Sequence, residues 1–124
     1  MSVITAPSHP THDLGTARFT ALVSPTRGAR ETSVWQVEID AGSEPTPHSL
    51  SREEVFVVLA GTAHVRVAGV DDTAHAGDAI IVPPGVTFEL RNGGDDPLRL
   101  LCCMPVGGQA CMADGSVFTP PWAE

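Results

Sequence analysis

The feature that most constrains this 124-residue chain is the spacing of glycines and prolines in two short segments. The first runs Gly42, five residues, His48, one residue, Leu50, three residues, Glu54, six residues, Gly61. Fifteen residues later the second runs Gly77, five residues, Pro83, one residue, Gly85, two residues, Phe88, three residues, Asn92. Gly61 and Gly77 fall between strand-like runs, where a positive φ or a close backbone approach is easiest without a β-carbon. Pro83-Pro84-Gly85 pre-sets a turn before Val86–Leu90.

Around these segments the strand signals outweigh the helix signals. Short runs rich in Val, Ile, Thr and aromatics recur every ~8–12 residues between Gly, Pro, Asn and Asp punctuation. Strands are predicted near Arg18–Val23, Ser33–Asp40, Glu54–Leu59, Thr62–Val67, Asp72–His75, Ala79–Val82, Thr87–Arg91 and Leu98–Met104. Alternation assigns their faces: Trp35, Val37 and Ile39 interleave with Gln36, Glu38 and Asp40, the two-residue period of a half-buried strand. In Thr62–Val67 the same period turns His64 outward. Glu54–Leu59 is apolar on both faces after Glu54, which predicts a strand covered on both sides. Residues 1–14 read as an N-terminal arm, loose or ordered by a partner subunit, and 15–105 as the barrel. Residues 106–124 read as a tail with a short hairpin, Ala110–Ala113 and Ser116–Thr119 joined by a type I′ turn at Asp114–Gly115.

In this order, and on this strand-like sequence, the two glycine-led segments resemble the paired motifs of the cupin family. The resemblance implies an all-β, single-domain jelly-roll β-barrel of antiparallel strands. It covers Gly42 to Asn92 directly, and the strand order extends it over most of the chain. Cupins include dioxygenases, isomerases, decarboxylases, cyclases, ligand sensors and storage proteins, so the resemblance implies a fold more firmly than an activity. It implies metal ligands at four positions, and here two of them are apolar: Leu50 and Phe88 stand where the family typically has histidines. Only His48 and Glu54 keep donor side chains, and catalytic metal sites of this kind use three or more protein ligands. Cys102 or Cys103, one of which faces inward by alternation, or His75 would have to complete a set.

Without a metal, the centre of the barrel becomes an apolar pocket with two polar groups, the general composition of a small-molecule site. Trp35, Leu50, Phe56, Phe88, Leu90 and Cys102 are the expected pocket residues, with His48 and Glu54 as an acid/base pair acting on a small, partly apolar metabolite. Burial would raise the carboxyl pKa and lower the imidazole's, and direct pairing of the two would do the reverse. Two other readings stay open: a metal-dependent oxygenase (Fe, Mn or Zn) held by His48, Glu54 and an unconventional third ligand, and a non-catalytic binding module in which His48 and Glu54 bond each other. The family also implies a homodimer, since an exposed sheet edge is otherwise a liability.

Composition narrows the partners. Seven basic residues, all arginine, against fifteen acids give a formal net charge of −8, which opposes the phosphate attraction behind nucleic-acid and anionic-membrane binding. The absence of lysine and tyrosine removes a Schiff-base amine and a phenolic acid. No basic start with a following apolar run is visible before Asp13, and no stretch approaches the ~20 apolar residues of a membrane span. Three cysteines, two of them adjacent, suit reduced thiols better than disulfides. A cytoplasmic location is the expectation.

Overall fold

The computed structural model describes residues 2–124. Alternating apolar side chains close the chain into a jelly-roll barrel of two six-stranded antiparallel sheets. In chain order the strands are β1 His12–Asp13, β2 Ala17–Val23, β3 Thr32–Ile39, β4 His48–Leu50, β5 Glu54–Ala60, β6 Thr62–Val67, β7 Val70–His75, β8 Ala79–Val82, β9 Phe88–Asn92, β10 Leu98–Pro105, β11 Ala110–Met112 and β12 Val117–Phe118. One sheet is ordered β1-β2-β3-β10-β5-β8 and the other β12-β11-β4-β9-β6-β7. All eight strands expected in the barrel are present, with ends shifted by two residues or fewer. No described helix is long and apolar enough to cross a membrane.

The core lies between the inner faces. Trp35 and Val37 from β3, Phe56 and Val58 from β5, and Leu98, Leu100, Cys102 and Met104 from β10 are all buried there. The two-residue period therefore faces as read, with Gln36 on the outside and Cys102, not Cys103, inside. Burying each large side chain contributes roughly 1.5–3 kcal/mol. Asn92 braces the two sheets: its buried amide donates to the carbonyls of Ile39 at 3.0 Å and Asp96 at 2.8 Å and accepts from Gly94 N–H at 2.9 Å. Gly61 has a φ of +86°, and a β-carbon there would lie 2.9 Å from the Pro97 carbonyl oxygen.

Three local expectations need correcting. β5 is not covered on both sides, because Val55 and Val57 are only partly buried and Leu59 is 40% exposed. Its outer face continues an aliphatic surface across the register pairs Val34–Cys103–Val55–Ile81 and Leu101–Val57–Ala79. The tail hairpin does not turn through type I′, since Asp114 keeps a negative φ and only Gly115, at +87°, is left-handed. Gly115 N–H bonds Met112 O and Met112 N–H bonds Ser116 O, which is a three-residue loop with a glycine bulge. The Asp114 carboxylate accepts from both Ser116 N–H and Oγ–H, and this side-chain turn competes with the two-residue alternative. Both central residues of a two-residue hairpin turn have positive φ instead at Ala68 (+51°) and Gly69 (+79°), between β6 and β7. The arm, finally, is held by its own chain: β1 pairs with β2, and the Arg27 guanidinium donates to Thr5 O.

Candidate active site in the barrel

The inner faces of both sheets line a cavity of about 330 Å³ that opens to the outside past Glu44, Thr46 and Arg91. The four positions of the ligand set that the family resemblance implies, His48, Leu50, Glu54 and Phe88, all line it. His48 and Phe88 are direct partners across β4 and β9, and their ring centroids lie 4.6 Å apart. Phe88 in turn meets Phe56 at 5.8 Å, so an aromatic ring packs where a second imidazole would otherwise face His48. Leu50, 2% exposed, fills the wall two residues further along β4. Trp35, Phe56, Leu90 and Cys102 also line the cavity, as expected from the sequence.

Glu54 opens β5 on the inward parity shared with Phe56 and Val58, so its carboxyl is carried into the cavity wall at 5% exposure. Among the described residues no group is hydrogen-bonded to it. Burial alone pushes its pKa up to about 8, because nothing compensates the lost hydration of the carboxylate. At neutral pH it is a neutral acid, an O–H donor facing apolar walls. Among the described residues His48 and Glu54 do not bond each other, as the binding-module reading would have them do. The His48 ring instead bonds Thr46 O through Nδ1 at 2.7 Å. A carbonyl can only accept, so Nδ1 carries a hydrogen, and Nε2 is the nitrogen left to face other partners.

Cys102 is a third titratable group in the wall. Burial above all, with nearby Glu54 and Cys103 adding to it, pushes its thiol pKa well up and keeps it a neutral S–H. It behaves as a small apolar residue and a poor metal ligand. His75 sits on β7, where it is exposed and not part of the cavity lining. Among the described residues no three His, Cys, Asp or Glu side chains come together to hold a metal ion. The donor set therefore does not fit the resident metal that the family pattern implies, and neither Cys102 nor His75 completes it.

The tail reaches the cavity, and sequence reasoning missed its partner on β2. Phe19 on β2 stacks flat on Trp122, with centroids 3.6 Å apart and planes 8° apart, and both line the cavity. Phe118 and Pro120 line it too, and Met112 on β11 adds to the wall beside β4. The terminal turn Pro121–Ala123 is fastened by Ser33 Oγ–H donating to Ala123 O at 2.9 Å. Trp122 lies more than a hundred residues from its partner Phe19 in the chain, beyond the reach of any local pattern.

Known proteins bear on this arrangement. Residues 35–104 match the family model described as a cupin domain. An uncharacterised protein of Methanocaldococcus jannaschii is 28% identical over 72 residues, 57% of this chain and 58% of that one, so this chain spans little more than half of its curated relative. The plu4264 protein of Photorhabdus luminescens superimposes with a TM-score of 0.70 at 19% identity, over 84% of this chain and 88% of that one. KdgF from Halomonas gives 0.66 at 19% identity, over 76% and 84%. The structural likenesses speak for the fold, and the family match covers more than half of the sequence. With its two-segment motif, jelly-roll sheets and central cavity, the chain belongs to the cupin family.

Proposed function

We propose that this cupin is an enzyme that moves protons on a small, partly apolar carbonyl compound without a resident metal, as an isomerase, dehydratase or cyclase. The observation that carries this reading is the Glu54 carboxyl, buried, unpartnered and facing the cavity. A buried carboxyl and an imidazole lining the same cavity supply complementary roles. His48 Nε2 takes the proton from the carbon next to the carbonyl while Glu54 gives its proton to the carbonyl oxygen, leaving an enol, an imidazolium and a carboxylate. The reverse transfer to another carbon or face completes an isomerisation and restores both groups. If a β-hydroxyl is the group protonated, it leaves as water and the product is the unsaturated carbonyl compound.

Incubation of the metal-free protein in D2O with a panel of small ketones and aldehydes tests this. Deuterium is expected at the carbon next to the carbonyl, read by mass spectrometry, and Glu54→Gln should lower the rate by 10²-fold or more. No exchange with any member of the panel, or full activity in both Glu54→Gln and His48→Ala, overturns it. Ligand-induced stabilisation without exchange would instead favour a binding module. Stoichiometric metal in protein purified without added metal would favour the oxygenase reading.

The same proposal takes the chain as a homodimer in a reducing, cytoplasmic setting. The three free cysteines are compatible with that compartment. The aliphatic outer face around Val55, Val57 and Ile81, with Ile81 61% exposed, is of a kind that matches a second copy of itself. Light scattering should give twice the chain mass, falling to one chain for Ile81→Glu.

A further inference from the structure

The chain holds four phenylalanines, two tryptophans and no tyrosine, and every one of these six rings lines the barrel cavity. Phe19, Phe56, Phe88, Phe118, Trp35 and Trp122 come from five separate strands and the terminal turn. Among the described residues no phenylalanine or tryptophan lies away from this cavity, although Phe118 is 43% exposed. Ordinary core packing does not need such a distribution, because aliphatic side chains fill the remainder of this core.

We infer that the cavity is shaped for a single-ring aromatic ligand that is electrically neutral and bears a carbonyl-type hydrogen-bond acceptor directed at Glu54. The inference deepens the proposed function and rests on its reading of Glu54 as a donor facing the cavity. Size supports it: a cavity of ~150 Å³ takes up benzene, so about 330 Å³ leaves room for a ring and a short polar substituent. Aromatic walls favour a flat π-system through edge and offset-stacked contacts. Polarity supports it as well. Glu54 and Cys102 present an O–H and an S–H to the interior, so the polar end of a ligand has donors to meet. An anionic ligand would bury charge beside Glu54 with no lysine or arginine deep in the wall, since Arg91 is exposed. The net charge of −8 opposes its approach too.

Isothermal titration of the full chain at pH 7 with acetophenone, ethylbenzene, cyclohexyl methyl ketone, benzoate and benzylamine tests this. Acetophenone should bind at least tenfold more tightly than each of the others. Replacing the donor by an apolar side chain of similar length, Glu54→Leu, should bring acetophenone down to the level of ethylbenzene and leave ethylbenzene unchanged. Preference for benzoate or benzylamine, equal binding of the cyclohexyl ketone, or no saturable binding of any probe overturns the inference, and the ranking in the unaltered protein stands whether or not the variant folds. If acetophenone binds as expected while no carbonyl compound undergoes exchange in D2O, the ligand class holds and the enzymatic reading falls.

Discussion

Glu54 and Asp40 are both carboxylic acids at the end of a strand, and the barrel treats them in opposite ways. Asp40, just past the end of β3, lies on the outside beside Arg18, which donates to it at 2.6 Å and to Glu38 at 3.0 Å. The guanidinium bond holds the Asp40 carboxyl below its ordinary range, so it stays a carboxylate. Glu54, at the start of β5, faces inward with no cation and no donor, and burial lifts it to about 8. The outer surface thus keeps charge by pairing it in water, and the cavity keeps a carboxyl by leaving it protonated. One acid is held as an anion at the surface, and the other as an O–H facing the cavity.

The largest effect expected from this contrast comes from rebuilding the missing donors. Leu50→His with Phe88→His would turn the greasy wall into a four-donor set with His48 and Glu54. The variant should bind zinc or manganese stoichiometrically by elemental analysis, whereas failure to do so in a folded variant would show that the local backbone, and not only the side chains, has departed from a metal cage.

Next in size is the pH dependence of stability. The folded pKa of Glu54 lies above its unfolded value of 4.5, so between these two pH values the folded state binds more protons. Its contribution is therefore intact below pH 4.5 and is lost as pH rises through about 8. Denaturant titrations should show wild type losing up to about 4 kcal/mol relative to Glu54→Gln between pH 5 and 9. Parallel curves for the two proteins would place Glu54 in contact with water and remove the contrast with Asp40. Activity should fall over the same alkaline limb, because ionisation removes the proton that Glu54 is proposed to give.

Two backbone substitutions sharpen the difference between packed and open regions. Gly61→Ala meets both a left-handed φ and the Pro97 carbonyl at 2.9 Å, and should cost roughly 3 kcal/mol by chemical denaturation. Ala68, in open solvent at the β6–β7 turn, carries only the strain of its φ of +51°. Ala68→Asn, which restores the Asn-Gly pair favoured in such turns, should stabilise by about 1 kcal/mol. The smallest effect belongs to the surface pair. Asp40→Asn should lower Tm only slightly, and less still at 1 M salt, where screening weakens the Arg18 contact further. A salt-independent loss would mean that Asp40 is more than a solvated partner.

Much of the fold was legible because period-two alternation is a local property. Trp35 and Val37 inside, with Gln36 outside, follow from chain order alone, whereas the convergence of His48, Leu50, Glu54 and Phe88 on the barrel interior was implied by the resemblance to cupins. The turn at Asp114–Gly115 was misread because a side-chain hydrogen bond from Ser116 to Asp114 selects a longer loop, and dipeptide preference says nothing about it. Ala68–Gly69 escaped notice because alanine tolerates a left-handed φ only where the flanking strands impose it.

The glycine and proline spacing, the alternation of the strands and the loss of two donor side chains together determined a cupin barrel whose centre cannot assemble the usual ligand set. Whether His48 and Glu54 would satisfy each other or stand apart was decided only in three dimensions. Thr46 occupies one imidazole nitrogen, and the strands around Glu54 bring it carbon and sulfur in place of a cation. The six rings gather around one cavity for the same reason: side chains more than a hundred residues apart meet only when two sheets close on each other, and that long-range closure sets the surroundings of the acid.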